Sequence, residues 1–125
     1  MQIHCLRDPT RGGLATTLNE LAGQSDAGIR IEEQKIPIND GVRAACELLG
    51  FDPLYVANEG KLVAVVDPRD ADNILARIKQ NPYGKEAAVI GEVTDEHRGR
   101  VILKTRLGAS RIVDMLSGEL LPRIC

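Results

Sequence analysis

The fold is decided by residues 11–32, RGGLATTLNELAGQSDAGIRIE, in which a helical repeat gives way to a strand alternation. Residues 29–32 alternate between apolar and charged side chains, which is typical of a half-buried strand. The segment 25–28 separates the two patterns and is predicted to end the helix. The helical part has apolar residues at i, i+4, i+7 and i+8, which predict a single buried stripe: Leu14, Leu18, Leu21 and Ala22.

Upstream of this helix, residues 1–6 are short and mostly apolar and predict a first strand. Asp8-Pro9 should end that strand, because proline cannot donate to a sheet ladder. Thr10 has a side chain suited to capping the helix that follows.

A second helix is predicted to begin at the Asn39-Asp40 cap and to end at Gly50. Its cysteine is expected to be a buried, inert thiol. Spacings of three and four residues define its predicted buried stripe: Val42, Ala45, Cys46 and Leu49.

A third helix is predicted with Asp67 as its cap and Pro68 at its first position, and Asn81-Pro82 should end it. Its apolar stripe follows the same spacing rule: Ala71, Ile74, Leu75 and Ile78.

Further strands are predicted in the second half of the chain. Residues 54–56 predict a short strand, and the apolar run 61–66 predicts a strand inside a sheet. Residues 87–93 and 101–104 predict two strands joined by a hairpin loop at 95–99. Residues 111–114 predict a last short strand. Three amphipathic helices against five or six strands indicate a layered α+β domain, an α/β sandwich with a partly ferredoxin-like order.

Composition excludes several function classes. The net charge of the 125 residues is 16 − 18 = −2 and there are only three aromatic residues, so no nucleic-acid partner is expected. No apolar stretch approaches the ~20 residues of a membrane span. Three widely spaced cysteines fit neither a disulfide framework nor a zinc motif, which indicates a reducing, cytoplasmic location and no metal site.

Residues 7–14, RDPTRGGL, place a glycine-rich turn between a strand and a helix. Free backbone N–H groups and the positive end of the helix dipole lie at such a start, and Arg7 and Arg11 add charge. The segment is a candidate phosphate cradle, although no Gly-Lys-Ser/Thr sequence follows as in a Walker A loop. A plain glycine helix entry with solvated arginines is the alternative.

Two other segments could carry chemistry. Asn58 and Glu59 lie between two apolar stretches, so Glu59 could act as a general base beside an amide, or the segment could be an ordinary turn. The chain ends on Cys125, whose thiol could carry a group, or could be an incidental free cysteine. Because Pro122 interrupts any regular pattern, we expect one domain, 1–118, and a mobile carrier tail, 119–125.

Three motifs together, RDPTRGGLA at 7–15, ANEGKL at 57–62 and PRIC at 122–125, resemble the HypE family of hydrogenase maturation factors, the carbamoyl dehydratases. The resemblance covers essentially the whole sequence but only the C-terminal domain of the family. The family belongs to the superfamily of aminoimidazole ribonucleotide synthetase and selenophosphate synthetase. The resemblance implies that an N-terminal domain, which supplies most of the ATP site and the dimer interface, is absent from this chain.

The resemblance also implies a reaction and its partners. A carbamoyltransferase, HypF, would load a carbamoyl group onto Cys125, and ATP with Mg²⁺ would activate the amide oxygen. Loss of phosphate would leave a thiocyanate, whose cyano group would pass to the iron of a [NiFe]-hydrogenase held by the HypC–HypD complex. The full-length protein would be a homodimer, while this domain alone is expected to be inactive and to hold no cofactor.

The roles implied for individual residues follow from the same resemblance. Cys125 would be the carrier, Glu59 the base, and Asn58 a group that orients the base or the amide. The loop residues expected nearest the phosphates or the docked tail are Asp8, Thr10, Arg11, Gly12 and Gly13. A stand-alone module that binds a small ligand or a partner without catalysis stays open as an alternative, because the chain carries no complete catalytic set.

Overall fold

A computed structural model describes residues 3–7, 12–55 and 62–114, without the side chains of Ile3 and His4. The described helices are α1 (Gly13–Ser25), α2 (Asp40–Leu49) and α3 (Ala71–Lys79). The described strands are β1 (Ile3–Arg7), β2 (Gly28–Glu32), β3 (Val63–Val66), β4 (Gly91–Thr94), β5 (Val101–Lys104) and β6 (Ser110–Val113). Three helices and two sheets in these ranges confirm the predicted layered α+β class.

The larger sheet has the strand order β4-β2-β5-β6, in which β2 is parallel to β5 and the other pairs are antiparallel. The predicted hairpin at 95–99 is therefore wrong, because β4 and β5 both pair with β2 instead of with each other. The connection crosses the end of β2, where the Gly99 N–H donates to the Ala27 carbonyl at 2.9 Å. The hairpin of this sheet joins β5 to β6, and β4 begins at Gly91 rather than at residue 87.

The smaller sheet pairs β1 with β3 in antiparallel fashion, and Arg7 lies opposite Val63. The prediction that residues 61–66 lie inside a sheet is wrong for the described residues, in which β1 is the only partner of β3. Ala64 is exposed and the other residues of β3 are half-buried. A continuous apolar run predicts a buried strand but does not tell an edge strand from a central one.

The hydrophobic core lies between α1 and the larger sheet. The predicted stripe of α1 is confirmed, and Thr17 is buried as well, with its hydroxyl donating to the Gly13 carbonyl at 3.3 Å. The sheet meets this helix with its own apolar face, which consists of Ile29, Ile31, Val101, Leu103 and Val113. Burial of aliphatic side chains at about 25 cal/mol per Å² is thus the main source of stability.

Helix α2 keeps its predicted ends but not its predicted burial. The Asn39 carboxamide oxygen accepts from the Gly41 N–H at 2.8 Å, and Gly50 adopts a left-handed C-cap with φ 76°. Cys46 is buried, as predicted, but Ala45 is exposed, and Val42 and Leu49 are 45% and 63% exposed. Periodicity identifies the apolar face of a helix, whereas tertiary contacts decide whether that face is covered.

Two local predictions at turns need correction. Helix α3 begins at Ala71 rather than at Pro68, because the Asp67 carboxylate accepts from the Arg69 N–H at 2.9 Å and closes a turn before the helix. Residues 53–55 form a 3₁₀ turn instead of a strand, since the Asp52 carboxylate accepts from the Leu54 N–H at 3.0 Å. Short carboxylate-capped turns of this kind compete with regular structure.

Gly28→Ala is expected to lower the free energy of unfolding by about 1–3 kcal/mol. A Cβ at Gly28 would lie 1.8 Å from the Glu96 carbonyl oxygen, where the β4–β5 connection crosses β2. Gly23→Ala is the matched control, because a Cβ at Gly23 on α1 meets nothing within 4 Å. It should raise the free energy of unfolding by about 0.5–1 kcal/mol. Urea unfolding checks both values, and equal effects of the two substitutions would contradict the close approach at Gly28.

Candidate functional site

Most residues of the predicted site lie outside the described residues. Asn58 and Glu59 belong to the segment 56–61, and Cys125 belongs to the segment 115–125. Asp8, Thr10 and Arg11 belong to the segment 8–11. The two remaining site residues, Gly12 and Gly13, are described. So are the residues on either side of the segments 8–11 and 56–61 and the residue before the segment 115–125.

The segments 8–11 and 56–61 join the described fold at the same end of the smaller sheet. Arg7, the last residue of β1, lies opposite Val63, the first residue of β3. The loop of the RDPTRGG motif therefore begins, and the segment that carries Glu59 ends, near neighbouring backbone positions. This arrangement fits the prediction that the two motifs serve one site.

Gly12 and Gly13 form the entry to α1 in a backbone conformation that favours glycine. Their φ angles are 70° and 67°, and Gly12 is the N-cap residue of the helix. A Cβ at Gly12 would lie 2.1 Å from the Thr16 hydroxyl oxygen. Thr10, the predicted cap of α1, lies outside the described residues, and the N-cap position of the helix is Gly12.

Arg7 is held on α1. Its guanidinium donates to the Glu20 carboxylate at 2.6 Å, and both side chains are about one-third exposed. Arg7 was expected to add charge to the phosphate cradle, and in the structure that charge is paired with Glu20. Its contact instead fixes the end of β1 against the helix whose start holds the two glycines.

The last described residue before the segment 115–125 is bonded to the last described residue before the segment 56–61. The Tyr55 hydroxyl, immediately before the segment 56–61, donates to the Asp114 carbonyl at 2.7 Å. Asn19 of α1 donates from its side-chain amide to the Val113 carbonyl at 2.9 Å. The described residues before the segments 56–61 and 115–125 are thus bonded to each other and, through Val113, to α1.

Sequence reasoning missed Tyr55 and Asn19. Asn19 has no sequence signal beyond a polar position on α1. Tyr55 has a weak one, because it is one of only three aromatic residues and lies two positions before the ANEGKL motif.

Burial raises the pKa of Tyr55 above its usual range, and the negative charge of Asp52 raises it further. The hydroxyl therefore stays protonated and remains a donor at neutral pH. A raised pKa in the folded state gives stability that is present below the unfolded pKa of about 10 and is lost as the pH rises through the folded pKa.

Tyr55→Phe is expected to remove one pH-dependent contribution to stability. Between pH 8 and 11, wild type should lose more of its free energy of unfolding than Tyr55→Phe does, because only wild type has the Tyr55 proton to lose. Urea unfolding at each pH measures the difference in free energy of unfolding between wild type and Tyr55→Phe. The contributions of all other titrating groups cancel in this difference. Parallel pH profiles would contradict the raised pKa.

Two cavities among the described residues are small for a ligand site. One of about 170 Å³ lies over the larger sheet beside Arg30 and His97, and another of about 170 Å³ lies between α2 and Pro53. Small-molecule sites usually measure about 300–1,000 Å³. Among the described residues, no group of three His, Cys, Asp or Glu side chains could hold a metal ion. No helix in those ranges has the length and apolar character needed to cross a membrane.

Residues 1–104 match the family of the AIR synthase-related protein, C-terminal domain. The chain belongs to this family. The family match confirms both the fold class and the superfamily that the three sequence motifs indicate.

Close relatives of the chain include the carbamoyl dehydratase HypE of Azotobacter vinelandii, which is 58% identical over 99% of this chain and 36% of its own length. A crystal structure of the hydrogenase maturation protein HypE in complex with ATP is 50% identical, with a TM-score of 0.91 over 98% of this chain and 38% of that one. A crystal structure of a HypE–HypF complex matches with 48% identity and a TM-score of 0.85, over 90% of this chain and 36% of that one. The resemblance to HypE is confirmed, and the chain spans about a third of the length of these relatives.

Proposed function

We propose that this chain is the carrier-bearing C-terminal domain of a carbamoyl dehydratase that acts in hydrogenase maturation. The observation that supports this most is the 58% identity to a carbamoyl dehydratase HypE over 99% of the chain. The second support is that the segments holding the RDPTRGG and ANEGKL motifs join the described fold at the same end of the smaller sheet.

The proposed reaction starts from a carbamoyl group on the Cys125 sulfur. The amide oxygen attacks the γ-phosphorus of ATP, and ADP leaves. The amide nitrogen loses its two protons, the carbon–oxygen bond breaks, and phosphate departs with the former amide oxygen. A thiocyanate remains on the sulfur, so one water has been removed from the carbamoyl group at the expense of one ATP.

The proposed roles divide this reaction among the three segments. Glu59 takes a proton from the amide nitrogen, because a positioned carboxylate can act as a general base. Asn58 orients that carboxylate or the amide. The start of α1 offers free backbone N–H groups to the phosphates, and the loop before it contributes Asp8, Thr10, Arg11, Gly12 and Gly13. Residues 119–125 act as a mobile carrier tail attached to the domain 1–118.

The proposed partners and cofactors follow from the relatives. ATP is supported by the ATP complex of a HypE that is 50% identical, and HypF by the complex of a HypE that is 48% identical. We include Mg²⁺, the HypC–HypD complex as acceptor of the cyano group, homodimer formation and a cytoplasmic location in the same proposal. ATP would bind mostly to the part of the protein outside this chain, so the chain alone should have little affinity for MgATP.

Reconstitution with the full-length protein tests the function. HypF, carbamoyl phosphate and ATP are supplied, and the protein is cleaved after Glu119 so that residues 120–125 can be weighed as one peptide. The peptide should gain one carbamoyl group and then lose one water in the presence of ATP. A peptide that stays unmodified while HypF is active would overturn the proposal.

A further inference from the structure

The smaller sheet has apolar side chains on both of its faces. Directly opposite residues of an antiparallel pair share a face, and successive residues of a strand alternate between faces. Cys5 pairs with Val65, and both pack against the core, so these two residues mark the inner face. Leu6 pairs with Ala64 and lies on the opposite side. We call that side, which carries Leu6, Ala64 and Val66, the outer face.

The outer face is largely open to solvent in the part of the chain that the structure describes. Leu6 is 51% exposed, Ala64 is exposed as well, and Val66 is half-buried. Leu62, which immediately precedes β3, is 62% exposed. None of these four side chains carries a charged or polar group. Contiguous apolar surface of this kind is typical of a place where another element packs.

The sequence of β3 is that of a strand covered on both sides. A strand with one solvated face alternates apolar and polar residues, whereas a strand covered on both faces is apolar throughout. β2 follows the first pattern, because its exposed residue, Arg30, is charged and forms an ion pair with Glu92. β3 follows the second pattern, since it consists of VAVV. A two-stranded sheet also needs packing against other elements to be stable, and the core supplies this on the inner face alone.

We propose that an apolar helix or strand of the full-length protein, from outside these 125 residues, packs on the outer face as a further layer of the same core. The chain corresponds to 36% of the length of its carbamoyl dehydratase relative, so 100 − 36 = 64% of such a protein is available to supply this layer. This inference uses the proposed function only in that the chain is one portion of a longer protein.

The chemistry of the outer face favours a permanent cover over a separate partner. Obligate interfaces are more hydrophobic than transient ones and resemble a domain core cut in half. Contacts between separate domains of one chain are more polar than that. An uncharged aliphatic face on a strand whose other face already lies against the core therefore fits a missing layer of the same domain.

Thiol labelling of the purified full-length protein tests whether the outer face is covered. Ala64→Cys adds a single sulfur atom to this face. Ala76→Cys is the matched control, because Ala76 is exposed on α3 between Asp72 and Arg77, which are exposed too. Both proteins react with a maleimide, and mass spectrometry of their peptides gives the labelling rate of the introduced thiol separately from those of the native cysteines.

The thiol of Ala64→Cys should react at least about tenfold more slowly than that of Ala76→Cys in the folded protein, because a packed layer must open before the reagent enters. The two rates should be equal in urea, and dilution should not change the protection. Equal rates in the folded protein would show an open face and would overturn the proposal. Protection that disappears on dilution would show a second copy on the face and would overturn it as well.

A photo-crosslink from a second position identifies the cover. Benzoylphenylalanine replaces Leu62 or, as the control, Leu107, which is 96% exposed in the turn between β5 and β6. The label at Leu62 should crosslink to a peptide of the same polypeptide outside these 125 residues, and the label at Leu107 to no such peptide. Crosslinks confined to the 125 residues, or between two copies, would overturn the proposal. Neither measurement involves carbamoyl transfer, so an unmodified Cys125 would overturn the proposed function alone.

Discussion

Replacing Cys125 by serine in the full-length protein is expected to abolish carbamoyl loading and every later step. A cysteine thiol is partly ionised at neutral pH and is a strong nucleophile, whereas a serine hydroxyl without an adjacent base is a weak one. The loss should be complete within the detection limit of mass spectrometry on the peptide 120–125. The free energy of unfolding should not change, because the proposed role of the tail is to carry a group.

Cys46→Ala is the control for this experiment. Cys46 lies on the buried side of α2 and is only 4% exposed, so it should be inaccessible to the transferase and its removal should leave the modification in place. Cys5→Ala on β1 adds a second control, because that thiol is half-buried. Modification of Cys5 or Cys46 in wild type, or continued modification of the protein with Cys125→Ser, would contradict the carrier role.

Replacing Glu59 by glutamine should separate the two chemical steps. Carbamoyl loading should proceed at the wild-type rate, while loss of water should fall by about 10²–10⁴-fold, the usual contribution of a general base. Glutamine has nearly the same shape as glutamate but cannot take the proton from the amide nitrogen. The carbamoylated peptide should therefore accumulate in a single-turnover reaction with ATP.

Glu47→Gln is the matched control for this second effect, because Glu47 is exposed on α2 and lies in another part of the chain. Its dehydration rate should equal that of wild type. Dehydration at the wild-type rate in Glu59→Gln would exclude Glu59 as the base. An equal loss of loading and dehydration would indicate a structural role of the segment instead.

The local parts of the fold could be predicted from the sequence. The stripe of α1, the alternation in β2 and the Asn39 cap of α2 depend on neighbours within a few positions, so their residue types determine them. The pairing of β4 and β5 with β2 depends on which strands meet in space, and a short loop between two strands suggested a hairpin instead. The prediction that Val42 and Leu49 are buried was wrong for the same reason. The periodicity of α2 identifies its apolar face but does not encode which other elements contact it.

Some features of the candidate site could likewise be predicted from the sequence, and others could not. Glycines at the start of α1 and a carboxylate beside an amide are visible in the sequence, and the RDPTRGGLA, ANEGKL and PRIC motifs indicate their joint role by resemblance. The Tyr55–Asp114 and Asp52–Arg111 bonds could not be predicted, because each is a single contact between residues 59 positions apart, and the Asn19–Val113 bond spans 94 positions. Such bonds leave no periodic signal.

An isotope experiment tests the central claim most directly. Carbamoyl phosphate labelled with ¹⁸O in its carbamoyl oxygen is supplied to HypF and the full-length protein, and mass spectrometry follows the released phosphate and the peptide 120–125. The account predicts that the label appears in the phosphate that ATP releases, while the carbon and nitrogen stay on the Cys125 sulfur. Label that appears in water, or a carbon that leaves the sulfur together with its oxygen, would contradict it.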